Sequence, residues 1–329
     1  MSSRPRSSPR APKPRRRLWI GILVTALLGP ATVCAAMPPE LLPSPELQVE
    51  SPAPVRLTAT AAVLMVAKSG QILYEHNPRL EWPPASTTKI MTALVAIEHM
   101  PLDDLVHISP EVAHFRVGSV LGLPQGAWIP MRDLLYGLLL ASGNDVALAV
   151  AEGVGGTVPA FVDMMNERAR ELGATQTHFT SPHGLYDPEH YSTAYDLALI
   201  TRYAMQNPQF REIVQTRSWV ITLAGGSHRR LVNHNRLLRW YPGADGVKTG
   251  YVHEAGHTLV ASATHDGRRL IAVVLHSQDL WGDASRLLSY GFAHYRTEKS
   301  APGFTAGHRT EVVVPLDGPT APLSGATIF

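Results

Sequence analysis

Three short strings carry residue types able to form and break an acyl bond: Ser86-Thr87-Thr88-Lys89, Ser142-Gly143-Asn144 and Lys248-Thr249-Gly250. Lysine is scarce, at positions 13, 68, 89, 248 and 299 only, and two of these five fall inside the strings. A serine hydroxyl is a poor nucleophile until a neighbouring base takes its proton. Residues three apart share a helix face, so Ser86 at a helix start would sit beside Lys89. There the free backbone N–H groups and the positive end of the dipole favour a developing anion. Lys89 is a base only when neutral, and a second cation close by, Lys248, would lower its pKa. The Ser142 hydroxyl can hand a proton to a departing amine. Asn144 can hold Lys89 or a substrate amide, Lys248 and Thr249 can hold a substrate carboxylate, and Gly250 leaves room for an extended peptide along a strand edge.

These residues need a scaffold. Strand character at 61–66 and 71–74, joined by the turn Lys68-Ser69-Gly70, predicts a hairpin, as do 259–264 and 270–275 around His265-Asp266-Gly267. Apolar spacing predicts helices from Ser86 to about Met100, over 131–140 and 144–153 with Ser142 at their junction, and over 158–172 closed by Gly173. Another runs from a Ser192 or Thr193 cap to about Met205, and strand character returns at 219–223. Strands at both ends around a helical middle predict an α+β fold, a mostly antiparallel sheet flanked by helices with a separate helical lobe.

The net charge of +2 is set by the N-terminus. Residues 1–17 hold seven cations and no acid, and removing them from +2 leaves −5 for the rest, which excludes a basic nucleic-acid-binding surface as the organising feature. The basic stretch leads into the apolar run 18–28, a Gly29-Pro30 break and small residues to Ala36, the pattern of an export signal or, if uncleaved, a membrane anchor. The Pro-rich segment 37–56 reads as a linker, 57–298 as the catalytic domain and 299–329 as a short tail containing a β-like patch, Thr310–Pro315. The expected location is therefore outside the cytoplasm, on the periplasmic or cell-wall side of the membrane or secreted. The only cysteine, Cys34, lies in the leader, so the exported domain has no disulfide.

The order of the strings resembles the serine D-alanyl-D-alanine carboxypeptidases, the low-molecular-mass penicillin-binding proteins. Similar stretches include 85–92, 138–145, Thr177–Leu185, His190–Ala194, Asn233–Leu238 and Gly246–Gly250, and the likeness spans about 57–298. It implies the β-lactamase/transpeptidase-like fold and removal of the terminal D-alanine from peptidoglycan stem pentapeptides through an acyl-enzyme on Ser86. It also implies an oxyanion hole from the N–H groups of Ser86 and Tyr251, covalent inhibition by β-lactams, and no metal or other cofactor. The family's arginine ahead of the stretch Asp283–Phe292 is missing: Leu280-Trp281-Gly282 stands there and Arg286 is the nearest base. A D,D-endopeptidase cutting cross-links would use the same residues. A penicillinase would need an E-x-x-L-N loop, and the region holds Ser181-Pro182-His183-Gly184-Leu185 instead. The histidine pairs His183/His190 and His253/His257 lack the H-E-x-x-H helix spacing of a zinc hydrolase, and His183 and His190 are expected to hold loops by hydrogen bonds.

Overall fold

In the computed structural model the described residues are 55–222, 226–297 and 313–315, all within the unit Val49–Phe329. The leader, Cys34, nearly all of the linker and most of the tail lie outside them.

The chain enters with β1 (Ala61–Val66) and β2 (Ile72–His76), the predicted hairpin. A 3-10 turn at Ala85–Thr88 runs into α1 (Lys89–His99). The lobe follows: β3 (Leu105–His107), α2 (Pro110–His114), β4 (Trp128–Pro130), α3 (Met131–Leu140), α4 (Asn144–Gly155), α5 (Val158–Glu171), α6 (Ala194–Ala204) and α7 (Pro208–Gln215). Then come the hairpin β5 (Ser218–Thr222) and β6 (His228–Val232) and the single turn α8 (Leu237–Trp240). The sheet returns with β7 (Ala244–Val252), β8 (Gly256–His265) and β9 (Arg268–Leu275). The chain closes with α9 (Leu280–His294), β10 (Tyr295–Thr297) and its antiparallel partner β11 (Val313–Pro315).

The five-stranded antiparallel sheet has the order β2-β1-β9-β8-β7. β1 is buried at every residue because both faces are covered. Ala61, Val63 and Met65 face the helical lobe, while Ala62, Leu64 and Val66 pack with Ala284, Leu287 and Leu288 of α9. Each large aliphatic side chain so buried contributes about 1.5–3 kcal/mol. β7 is left as an edge, with one side free for an incoming extended chain.

Several helix ends follow local rules. Thr157, Thr193 and Asn207 accept hydrogen bonds from the first turns of α5, α6 and α7. α7 is missing from the sequence-based expectation; capped by Asn207, it starts with Pro208 at the first helical position. Among the described residues no single helix is long and apolar enough to cross a membrane.

Candidate active site

Ser86 lies in the 3-10 turn ahead of α1, not in the helix proper as predicted. Two prolines precede it and Ala85 takes φ +50°, a left-handed strain that the surrounding contacts hold in place. Thr258 on β8 donates to the Pro84 carbonyl (3.1 Å), and Thr87 does the same from within the turn (2.6 Å). The turn is thus fastened to the sheet. Ser142, at the α3–α4 junction, is likewise left-handed at φ +62°.

Lys89 is fully buried. Its Nζ lies 2.9 Å from Ser86 Oγ, 2.7 Å from Asn144 Oδ1 and 2.6 Å from the His183 carbonyl oxygen. Two of these neighbours can only accept, and a neutral amine has two N–H bonds to satisfy them. Its lone pair is then left for the Ser86 hydroxyl. The electrostatics agree: burial, then the charge of Lys248, hold Lys89 well below the ordinary lysine range against a weaker opposing pull from Asp145. Lys248, buried in mid-β7, contacts Ser142 Oγ (3.0 Å) and the Thr249 carbonyl (2.9 Å). Burial lowers its pKa to about 7.

Of the two roles open to Asn144, the geometry makes the first. Its Oδ1 accepts from Lys89 and its Nδ2 donates to the Val117 carbonyl (2.9 Å), so both ends of the amide are engaged. At Gly250 the close approach is by the protein's own backbone. A Cβ there would stand 2.4 Å from Thr258 Oγ1 and 2.9 Å from Ser86 N. Only glycine lets β7 press against the N–H of the reactive serine. Tyr251 follows, exposed and tilted against His257 at 4.7 Å between ring centroids. Ser86, Ser142, Thr249, Gly250 and Tyr251 line one cavity of about 740 Å³, with Lys89, Asn144 and Lys248 behind it. All eight predicted residues converge.

The histidines hold loops, as expected. His190 Nδ1 accepts from Thr180 N (3.0 Å), which leaves its Nε2–H to donate to Thr88 Oγ1 (2.8 Å). His183 stacks on Phe115 and its Nδ1 accepts from Leu185 N. Burial lowers His183 to about 3, helped by Lys89, and His190 to about 4 against a weaker upward pull from Asp187. Both are neutral at pH 7. Among the described residues no three His, Cys, Asp or Glu side chains converge as a metal-ligand set.

Two parts escape the motif reading. The His183 carbonyl is invisible because a backbone acceptor carries no residue-type signature. Asp145 is buried and collects the N–H groups of Leu121 (2.9 Å), Gly122 (2.7 Å) and Leu123 (3.3 Å), pinning the loop whose Ser119 carbonyl accepts from Asn144 N (2.7 Å). Its place directly after Asn144 was the available signal. Arg286, the nearest base to the missing arginine, pairs with Asp279 (3.0 Å) and Asp283 and does not line the cavity.

The chain is similar to known proteins in both sequence and fold. The family model described as D-alanyl-D-alanine carboxypeptidase matches residues 48–279. D-alanyl-D-alanine carboxypeptidase DacF of Bacillus subtilis is 36% identical over 247 residues, 73% of this chain and 63% of its own length. DacB2 of Mycobacterium tuberculosis, with the same description, is 39% identical over 234 residues, 68% and 79% of the two chains. Among solved structures, D-alanyl-D-alanine carboxypeptidase DacD of Francisella tularensis superposes with a TM-score of 0.73 at 29% identity, over 82% of this chain and 83% of that one. A Streptomyces DD-transpeptidase does so with 0.69 at 36% identity, over 72% and 98%. The sheet and lobe are thus those of the β-lactamase/transpeptidase-like fold. The chain spans a little under two thirds of the Bacillus relative's length.

Proposed function

The chain belongs to the D-alanyl-D-alanine carboxypeptidase family of serine peptidases, and from that premise we propose that it removes the terminal D-alanine from peptidoglycan stem pentapeptides. The observation that carries the reading is the Lys89 amine, buried, depressed in pKa and aimed at Ser86 Oγ from 2.9 Å. Lys89 takes the hydroxyl proton as Oγ bonds to the carbonyl carbon of the penultimate D-alanine. The oxyanion is held by the N–H groups of Ser86 and Tyr251, where one donor is worth about 3–4 kcal/mol.

The C–N bond then breaks. Ser142, bonded to Lys248 (3.0 Å), passes a proton to the leaving amine and is replenished with the one Lys89 took from Ser86, so that Lys89 is neutral again as free D-alanine departs. Water attacks the ester, Lys89 takes its proton and returns it to Ser86 Oγ, and the shortened peptide leaves. Lys248 and Thr249 bind the substrate carboxylate, and the peptide runs along the edge of β7. β-Lactams acylate Ser86 by the same first step. The basic and apolar leader supports a location outside the cytoplasm, with a tether to the membrane if the leader is retained.

The test is mass spectrometry of muropeptides, monomeric pentapeptides mixed with cross-linked dimers, incubated with the protein or with Ser86→Ala. Loss of one D-alanine from the pentapeptides, absent in the variant, supports the reading. Conversion of dimers to monomers instead reassigns the protein as an endopeptidase, and no change in either sinks peptidoglycan trimming. Fractionation of cells expressing the full chain tests the location, and recovery in the cytoplasm would refute it.

A further inference from the structure

Residues 217–244 contain five arginines and no acid, whereas the chain beyond residue 17 is net negative. Arg217, Arg229, Arg230, Arg236 and Arg239 are all exposed, and none has an ion-pair partner among the described residues. Two of them, Arg236 and Arg239, line the same cavity as Ser86 and Thr249. A cavity wall with unneutralised cations calls for an anion.

The backbone that carries Arg236 is built in. Asn233 and Asn235 are buried, at 6% and 1% exposure, while the alternate residues His234 and Arg236 face outward. Asn233 Nδ2 donates to the Val214 (3.1 Å) and Thr216 (3.0 Å) carbonyls, and its Oδ1 accepts from Asn235 N (2.9 Å). Asn235 Nδ2 donates to the Gly246 carbonyl (2.7 Å), two residues before Lys248, and its Oδ1 accepts from Leu237 N (3.1 Å). Arg236 is thereby registered to the strand that bears Lys248. Its guanidinium lies over Trp281, 5.9 Å from the ring centroid, and Trp281 lines the cavity from the start of α9. Such a cation–π contact keeps the guanidinium at the cavity wall, where its five N–H groups can meet a planar acceptor.

We infer that Arg236, supported by Arg239, recognises the free terminal carboxylate of the substrate peptide and sets the preference for substrates that have one. This rests on the carboxypeptidase reading and deepens it. Arg286 is paired with two aspartates, so the cation that lines the cavity and joins Lys248 and Thr249 at the carboxylate is Arg236. An arginine fork matches a carboxylate with two parallel hydrogen bonds and keeps its charge at every working pH.

The experiment measures kcat/KM for a peptide ending in D-Ala-D-Ala as free acid and as C-terminal amide. In parallel it measures acylation of Ser86 by a penicillin as free acid and as methyl ester, read by intact-protein mass. Wild type should favour each acid by about tenfold or more. Arg236→Gln should lower both acid-to-neutral ratios by about ten- to a hundredfold, as expected for losing a hydrogen bond to a charged group. Arg239→Gln should lower them less, and Arg236→Lys should restore part of the preference. Arg229→Gln, which removes the same charge outside the cavity lining, should leave the ratios in place. Unchanged ratios in Arg236→Gln, or an equal fall in Arg229→Gln, would overturn the inference. If wild type cleaves neither peptide while penicillin discrimination still depends on Arg236, the carboxypeptidase reading fails and the recognition stands. If wild type trims the free-acid peptide and Arg236→Gln keeps both ratios, the reading survives and the inference falls.

Discussion

Replacing Lys248 by methionine should separate stability from activity in a pH-dependent way. The amine is buried at 1% exposure and its pKa falls from the ordinary 10.5 to about 7. Between those two values the unfolded chain binds a proton that the folded chain has shed, so stability rises with pH across that window and is flat below it. At about 1.4 kcal/mol per tenfold, keeping the lysine folded costs about 4 kcal/mol at pH 7 and about 1 kcal/mol at pH 9.5. Methionine is of similar length and has no such penalty, although it leaves Ser142 Oγ and the Thr249 carbonyl short of a donor. That loss is independent of pH. The stability difference between variant and wild type should therefore shift by about 3 kcal/mol in favour of wild type from pH 7 to pH 9.5. Removing the charge also lets Lys89 rise toward its ordinary pKa, which acts in the same direction. Urea titrations of both proteins at the two pH values measure the shift, since groups titrating in both cancel in the difference. A difference that does not change with pH would refute the assignment of Lys248 as a buried amine near neutrality.

Acid should destabilise the protein well above the carboxylate range. His183 and His190, lowered to about 3 and about 4, must stay neutral to fold. Below their ordinary 6.5 the unfolded state gains protons first, so stability falls from pH 6.5 downward, by about 4 kcal/mol for the two together at pH 5. Equal urea midpoints at pH 7 and pH 5 would contradict this. Gly250→Ala should slow penicillin acylation of Ser86 by about a hundredfold or more, because a methyl group 2.9 Å from Ser86 N displaces the reactive turn. Stopped-flow acylation checks it, and an unchanged rate would mean that the turn is not held by that contact. Asp145→Asn should cost about 2–4 kcal/mol, since an amide offers one acceptor oxygen and opposes backbone N–H groups with its own. Hydrogen exchange should then accelerate at Leu121–Leu123; protection equal to wild type would deny Asp145 its pinning role.

Much of the scaffold was legible because its signals are local. The hairpins at β1–β2 and β8–β9 show as continuous apolar runs on either side of a short turn, and α3 and α4 flank Ser142 as their apolar spacing requires. What failed was short or context-dependent. β6 reads His228-Arg229-Arg230-Leu231-Val232, polar on its exposed face, and is a strand because it pairs with β5. The 3-10 geometry at Ser86 depends on Thr258 reaching Pro84 from 174 residues away. No window of sequence around Ser86 contains that tie.

The sequence alone determined which chemical groups exist and the spacing of the nearest pair: a hydroxyl three residues before an amine in a helical stretch meets it wherever the fold goes. It also determined the arginine-rich, acid-free segment 217–244 and the absence of arginine at 280–282. Tertiary structure decided whether Lys89 is a base. Its two obligate acceptors come from residues 55 and 94 positions away, and the burial that lowers its pKa is a property of the closed interior. Desolvation and Coulomb repulsion depend on what surrounds an atom in space, so a motif can name the amine while only packing makes it neutral.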